Sequence, residues 1–250
     1  MIETKNITKS FDEKKVVDNF SADFKPGKIN LIIGKSGSGK TMVVKCMLGL
    51  FEIDSGGVFF NNRDFTNISE YQKKEIRKEI GMVFQGSALF DSMTIEENIL
   101  FPLQMASNMT LLEMKRRVDF CLNRVDLKNV HQLFPSQLSG GMQKRVAIAR
   151  AISLNPKYLF CDEPNSGLDP STANVIDNLL REITYEYNIT TVINTHDMNS
   201  VMEIGDNIVF IQDGKKEWEG TRDTFLDSNN KYLNDFIFSS RLFKKLKGIS

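Results

Sequence analysis

The sequence lacks an excess of charge of either sign and has few cysteines. Its 250 residues include 32 basic and 32 acidic side chains, so the formal net charge is zero. Because nucleic-acid binders usually show a basic footprint, this balance argues against a general nucleic-acid binder. Cys46, Cys121 and Cys161 are odd in number and form no C-x-x-C pair. We therefore expect no disulfide framework or zinc site, and we expect the three thiols to pack in a core in a reducing compartment.

Long hydrophobic runs are also missing. No segment approaches the ~20 consecutive apolar residues that a membrane-spanning helix needs. The first residues, MIETKNITKSF, lack the basic and apolar regions of a secretory signal. We therefore expect a cytoplasmic protein that reaches a membrane only through a partner. The apolar content of 41% is sufficient for a sizeable core.

Short apolar runs and helical patterns alternate along the chain. FSADF alternates apolar and polar residues, which is typical of a half-buried strand. INLIIG is an apolar run bounded by turn signals and predicts a buried parallel strand, and TMVVKCMLGL after it predicts a helix. The charged stretch QKKEIRKEI, in which Ile76 stands four residues before Ile80, is interpreted as a solvated helix face.

From about Leu89 to Leu154 the pattern becomes mostly helical, with LLEMKRRVDFCLNRVDL the clearest amphipathic stretch. Apolar strands return at KYLFCDEP and ITTVINTHD, and NIVFIQDGKKEWEG predicts a hairpin that turns at Asp213 and Gly214. Strands that alternate with helices indicate an α/β sheet, here interrupted by a helical insert.

A glycine-rich loop lies between the strand INLII and the helix that follows it. GKSGSGKT fits G-x-x-x-x-G-K-[ST], in which glycines let successive N–H groups curl around phosphates. Lys40 is expected to bridge the β- and γ-phosphates, and Thr41 is expected to ligate Mg²⁺. The predicted phosphate-binding residues of this loop are Gly34, Lys35, Ser36, Gly37, Ser38, Gly39, Lys40, Thr41 and Met42.

Two adjacent carboxylates follow another apolar strand. YLFCDE places Asp162 and Glu163 at the carboxyl end of that strand, where ligands bind in open α/β sheets. Asp162 is expected to hold the Mg²⁺ shell, and Glu163 to orient and deprotonate the attacking water. With the phosphate loop, these residues predict the hydrolysis of ATP.

A second anion site is predicted in QLSGGMQKRVAIARA. Ser139 suits a helix cap, and the glycines Gly140 and Gly141 suit close approach of a ligand to a helix N-terminus, which favours an anion. One chain already has a phosphate loop, so a second phosphate site looks redundant within a single molecule. It is not redundant if two chains pair head-to-tail and each offers this helix end to the ATP of the other.

The chain resembles the ATP-binding subunits of ABC transporters over nearly its whole length. Gly34–Thr41 is similar to the Walker A loop, LSGGM to the signature motif and YLFCDE to the Walker B strand. Gln85 in MVFQG resembles the Q-loop, SGLD at Ser166–Asp169 the D-loop, and His196 in NTHD the switch histidine. The order and spacing of these motifs agree with the family.

The resemblance implies further roles. Gln85 would ligate Mg²⁺ and sense a membrane partner, His196 would contact the γ-phosphate, and Asp169 would communicate across the dimer. Phe11 stands where the family has an adenine-stacking aromatic, and simple packing is its alternative role. The predicted catalytic residues are Gln85, Glu163 and His196; the predicted Mg²⁺ ligands are Thr41, Gln85 and Asp162; the predicted nucleotide-binding residues outside the Walker A loop are Phe11, Ser139, Gly140, Gly141 and Asp169.

The resemblance also implies the fold and its division. We expect an α/β fold with a P-loop NTPase (RecA-like) core, an N-terminal antiparallel β-subdomain and an inserted α-helical subdomain. Residues 1–225 would form a single ABC ATPase domain, with 1–88 and 155–225 as the nucleotide-binding core and 89–154 as the helical subdomain. Residues 226–250 would be a C-terminal extension whose apolar and basic residues suit a membrane surface, a partner subunit or a frayed terminus. The extension carries, among its apolar residues, Phe236, Phe238, Leu242, Phe243 and Leu246.

Several stretches resemble the ATPases of Mla-type lipid transporters in particular. They are SALFDSMTIEENILFPL, SGGMQKR, THDMNSVMEIGDNI and WEGTRDTF, and Met142 in place of the commoner glutamine is then a feature of the branch. This likeness implies a permease of the MlaE type, an MCE-domain partner, phospholipid cargo and a position on the cytoplasmic face of the inner membrane. An importer of amino acids or another small solute is the alternative. A soluble ABC ATPase that acts on ribosomes or DNA is disfavoured, because the chain has one set of motifs.

Overall fold

The computed structural model describes residues 1–238. In this part of the chain the strands are β1 (Ile2–Phe11), β2 (Lys14–Phe24), β3 (Ile29–Ile33), β4 (Ser55–Phe60), β5 (Arg63–Asp64), β6 (Ile80–Val83), β7 (Tyr158–Asp162), β8 (Thr190–Thr195), β9 (Asn207–Gln212) and β10 (Lys215–Gly220). The helices are α1 (Lys40–Met47), α2 (Glu70–Arg77), α3 (Ile95–Ala106), α4 (Leu111–Arg124), α5 (Gly140–Ile152), α6 (Pro170–Glu186), α7 (Met198–Ile204), α8 (Arg222–Phe225) and α9 (Lys231–Ile237). The predicted roles of Leu242, Phe243 and Leu246 lie outside the described residues.

The chain divides into two compact units. The first comprises Met1–Ser69 and the chain from Val192 onward, and the second comprises Glu70–Thr191. Strands and helices occur in both, as the predicted α/β fold requires, and a region dominated by helices lies between α3 and α5 of the second unit.

The N-terminal sheet of the first unit is antiparallel. Its strand order is β2-β1-β4-β5, and Ile2 of β1 lies opposite Phe24 on one side and Phe60 on the other. These three side chains are fully buried, because alternate residues of each strand point to the same face of the sheet. The alternation in FSADF therefore predicted its strand correctly.

The other strands of the first unit place the glycine-rich loop. β10, β9, β3 and β8 are neighbours in that order, and β3 runs parallel to β9 with Leu31 opposite Ile208. All five residues of β3 are buried, as its uninterrupted apolar run predicted. β9 and β10 form the predicted hairpin, and Asp213 and Gly214 have φ values of 50° and 79°, as its turn requires.

Helices of the second unit have well-defined starts. Thr94 caps α3 and Thr110 caps α4, and in each case a glutamate three residues later completes a capping box. α5 buries Val146, Ile148 and most of its other apolar side chains, so the signature region is attached to a packed helix. The amphipathic pattern of LLEMKRRVDFCLNRVDL predicted α4 correctly.

The helical interpretation of QKKEIRKEI was wrong at its C-terminal end. Ile76 lies on α2 and is buried, but the helix ends at Arg77 and Ile80 begins β6. The pairing of β6 with β7, in which Ile80 lies opposite Tyr158, accounts for the strand. Gly81 permits the close approach of β6 to α5, because a Cβ at this residue would lie 2.4 Å from the backbone oxygen of Ala151. A periodicity of four residues could not reveal this distant pairing.

The three cysteines pack in the interior, as predicted. All are reduced and at most 2% exposed. Burial raises the pKa of the Cys46 and Cys121 thiols to about 11 and raises the pKa of Cys161 further. In residues 1–238 no helix is long and apolar enough to cross a membrane.

Candidate functional site

The loop between β3 and α1 has a backbone that requires glycine. Gly37 and Gly39 have φ values of 80° and 105°, which side-chain-bearing residues rarely adopt. A Cβ at Gly39 would also lie 2.7 Å from the backbone oxygen of Val16. The glycines of the motif therefore set the curvature of the loop, which is the property that the phosphate-binding prediction needs.

Lys40 lies across this loop. Its side chain is buried, and Nζ donates hydrogen bonds to the backbone oxygens of Gly34 at 2.9 Å and Lys35 at 3.0 Å. A cavity of about 220 Å³ borders the loop and is lined by Lys35–Ser38 and by Phe210–Asp213. The ammonium group is therefore held at the loop itself, where a bound phosphate could replace backbone oxygens as its acceptor.

Thr41 contacts a residue that the sequence did not identify. Its Oγ1 accepts a hydrogen bond from Nδ2 of Asn194 at 3.1 Å, and Asn194 is buried on β8. The sequence signal for Asn194 is weak, because Thr190 and Thr191 of the same strand are also polar. His196 follows β8 directly and is exposed, so the first unit holds Lys40, Thr41 and His196 on the segments that follow β3 and β8.

Gln85 and Glu163 meet in the second unit. Nε2 of Gln85 donates to Oε2 of Glu163 at 3.0 Å, although 78 residues separate them in the chain. Asp162 is the last residue of β7, and Glu163 follows it with φ of 46°, a left-handed value that non-glycine residues seldom adopt. Such strain is found where the surrounding structure fixes a functional side chain. The structure thus brings together two of the three predicted catalytic residues.

Ser139 caps α5 as the sequence predicted. Its Oγ accepts from the backbone N–H of Met142 at 3.3 Å, and Ser139 and Gly140 are exposed at the start of the helix. The exposed helix N-terminus carries partial positive charge and suits an anion.

Asp169 forms hydrogen bonds within its own chain. Its carboxylate accepts from the N–H groups of Ser171 and Thr172 and from the hydroxyl of Thr172, the last at 2.6 Å, and so caps α6. The hydroxyl hydrogen bond lowers the pKa of Asp169. The sequence resemblance predicted a role across a dimer and did not predict this cap, although Asp before Pro170 is a helix-start signal.

Phe11 is available for stacking but also packs within the chain. It is 39% exposed at the end of β1, and its ring contacts that of Phe51 edge-on at a centroid distance of 5.5 Å. Both predicted roles of Phe11 are compatible with this position.

The predicted Mg²⁺ ligands supply oxygen atoms of the kind that Mg²⁺ prefers. Thr41 offers a hydroxyl in the first unit, and Asp162 and Gln85 offer a carboxylate and an amide oxygen in the second. Each of these atoms is therefore a suitable type of ligand for the metal.

Sequence comparisons find relatives along nearly the whole chain. A family model described as "ABC transporter" matches residues 17–166. The chain is 43% identical over 242 residues to methionine import ATP-binding protein MetN 1 of Oceanobacillus iheyensis, covering 95% of this chain and 71% of that one. It is 35% identical over 237 residues to the intermembrane phospholipid transport system ATP-binding protein MlaF of Haemophilus influenzae, covering 95% and 90%.

Solved structures share the fold. The ATP-binding cassette MJ0796, in a dimeric post-hydrolysis state bound to ADP and Pi, superposes with a TM-score of 0.80 at 33% identity. The match covers 89% of this chain and 99% of that one. The predicted α/β cassette fold is therefore confirmed.

Proposed function

The chain belongs to the ABC transporter family and carries its ATP-hydrolysing cassette, and from this premise we propose that it powers the uptake of a small solute through a membrane permease. The observation that carries this proposal is the 43% identity to a methionine import ATP-binding protein, against 35% to a phospholipid transport protein. An amino acid is the proposed class of solute, with methionine as the first candidate. Import of a small solute, which was the alternative in the sequence analysis, thus has better support than lipid transport, which was the first interpretation.

The hydrolytic roles follow from the chemistry of the site. We assign Glu163 as the base that deprotonates water, and its hydrogen bond from Gln85 at 3.0 Å supports this role by orienting the carboxylate. Lys40 binds the phosphates in place of the loop oxygens, and His196 contacts the γ-phosphate. Thr41, Asp162 and Gln85 would hold Mg²⁺, which when bound supplies charge neutralisation at the phosphates.

The assembly is proposed on the same basis. Two copies pair head-to-tail, with Ser139 and Gly140 of each chain against the ATP held by the other, as the exposed cap of α5 allows. The pair sits on the cytoplasmic face of the membrane through the permease. We retain the proposed division into a nucleotide-binding core, a helical subdomain at 89–154 and a C-terminal extension.

Phospholipid transport is the second candidate function. It is favoured by the Mla-like stretches, among them the segment 87–103, and by the relative MlaF. In that case an MCE-domain protein would accompany the permease. Phe90 in this segment is 41% exposed, so an apolar contact with a permease is available to either transporter.

Two measurements distinguish the candidates. The first is uptake of radiolabelled methionine by cells in which the gene is disrupted, and we expect uptake to fall and to return with the wild-type chain but not with Glu163→Gln. The second is affinity purification from detergent-solubilised native membranes with mass spectrometry of proteins and lipids. A permease with a solute-binding protein supports import, whereas an MCE-domain protein with bound phospholipid and normal methionine uptake supports lipid transport. Recovery without any membrane protein contradicts both.

A further inference from the structure

The Q-loop backbone is held by two cationic side chains of α5. Nζ of Lys144 donates a hydrogen bond to the backbone oxygen of Gln85. The guanidinium of Arg150 donates to the backbone oxygens of Ser87 at 2.9 Å and Ala88 at 2.8 Å. Helix α5, which begins with the signature motif, therefore binds the Q-loop backbone at two places, at Gln85 and at Ser87–Ala88.

Lys144 is placed where a lysine is unusual. It is only 5% exposed, and lysine is seldom buried without a specific partner. Burial lowers its pKa, while negative charge at Glu163 and Asp162 acts in the opposite direction. The side chain thus reaches from the second turn of α5 to the backbone of Gln85.

The contacts form a continuous connection. Lys144 holds the backbone of Gln85, and the side chain of Gln85 donates to Glu163 at 3.0 Å. We propose that Lys144 is a positioning residue for ATP hydrolysis, which fixes the Gln85 backbone so that the Gln85 amide orients Glu163. This inference rests on the proposed role of Glu163 as the base. It links the signature helix to the water-activating carboxylate within one chain.

Arg150 limits the structural change that the loss of Lys144 would cause in the Q-loop. Ser87 and Ala88 have φ values of 63° and 48°, and the two hydrogen bonds from Arg150 hold this left-handed turn. Removing Lys144 therefore releases Gln85 and leaves the rest of the loop attached to α5. We expect a change in the rate of hydrolysis without loss of the fold.

The test compares Lys144→Met with Arg145→Met in the full chain. Methionine keeps the unbranched shape of lysine and removes its charge and donor, so packing is preserved. Arg145 is the matched control, because it is the next residue on α5 and donates to Val125 and Asp126 at 3.4 Å, away from the Q-loop. We expect Lys144→Met to lower kcat of the Mg-ATPase roughly 10- to 100-fold, as small misplacements of catalytic groups do. The Kd of a fluorescent ATP analogue should stay within about twofold, because the phosphate loop is unchanged.

Three further variants make the test decisive. Lys144→Arg restores a cation and donor and should recover part of kcat, which a purely packing role would not explain. Lys144→Leu, which also lacks a donor, carries the test if the methionine variant does not fold. Wild-type kcat in folded Lys144→Met or Lys144→Leu overturns the inference. Glu163→Gln separates the two proposals: full activity in that variant overturns the role of Glu163, whereas an inactive Glu163→Gln beside an active Lys144→Met overturns only the role of Lys144.

Discussion

At the scale of single residues, the two signature glycines differ in the space that their own chain leaves around them. A Cβ at Gly141 would lie 2.6 Å from Cγ2 of Thr172, so glycine is required there by packing within the chain. Among residues 1–238, a Cβ at Gly140 would meet only Cδ2 of Leu168, at an ordinary 3.7 Å. Packing in this part of the chain therefore does not explain glycine at 140, and we expect the explanation to be an external group that approaches the helix end closely.

Gly140→Ala tests that explanation. We expect the free energy of unfolding to stay the same or rise by up to about 1 kcal/mol, because alanine favours the helix. The Mg-ATPase rate should nevertheless fall about tenfold or more, since the methyl group displaces a phosphate from the helix end. The measurement pairs urea unfolding with steady-state kinetics.

Gly141→Ala provides the contrast. It should lose stability through the clash with Thr172, and Thr172→Ser in the same chain should restore that stability by removing the methyl group while keeping the hydroxyl on Asp169. Full ATPase activity in Gly140→Ala would contradict the close approach of a ligand at this end of α5.

At the scale of elements, the helices α4 and α5 both begin with a hydroxyl that caps the helix, and at α4 Glu113 completes a capping box. Oγ1 of Thr110 accepts from the N–H of Glu113 at 3.4 Å, and Oγ of Ser139 accepts from the N–H of Met142 at 3.3 Å. The two caps differ in their proposed surroundings. The threonine of α4 is explained by its cap, whereas the serine of α5 is also proposed to contact a nucleotide.

Ser139→Ala and Thr110→Ala separate capping from catalysis. Each should lower the free energy of unfolding by about 1 kcal/mol, the usual cost of losing such a cap. Only Ser139→Ala should lower the ATPase rate, because only its hydroxyl is proposed to reach the γ-phosphate. If the two variants have equal ATPase rates, the proposed contact of Ser139 with the γ-phosphate is contradicted, and only its role as a helix cap remains.

The sequence predicted those elements whose signal is local. The strand β3, the hairpin at Asp213 and Gly214 and the start of α5 each depend on neighbouring residues, and each was found. Ile80 was missed because its place is decided by its pairing with Tyr158 of β7, and Asn194 was missed because its role depends on a contact with Thr41. Periodicity cannot report contacts between segments so far apart in the chain.

The candidate site was predicted residue by residue, but its internal connections were not. The motifs named Gln85 and Glu163 separately, and the structure adds the hydrogen bond between them and the anchor from Lys144. Lys144 had a weak signal of its own, as it shares a helical face with Ile148, which is buried. That pattern alone does not distinguish a functional lysine from one that extends to solvent.

At the scale of the whole molecule, each chain holds both halves of the proposed composite site. Lys40 and Thr41 belong to the first unit, and Ser139 belongs to the second. If two copies pair head-to-tail, each ATP contacts the phosphate loop of one copy and the signature helix of the other. A defect in the phosphate loop of one copy then affects the ATP bound by that copy, whereas a defect in its signature helix affects the ATP bound by the other copy.

Mixing two defective chains tests this arrangement directly. In a Glu163→Gln background, which should bind ATP without hydrolysing it, light scattering should show a dimer at saturating Mg-ATP. Adding Lys40→Ala to one preparation and Ser139→Ala to another should leave each monomeric, because every site in either homodimer is defective. The mixture should form heterodimers, since the loop of the Ser139→Ala chain and the signature of the Lys40→Ala chain make one intact site. A mixture that stays monomeric while the parent dimerises would contradict composite sites, and a monomeric parent would contradict dimerisation of the free chain.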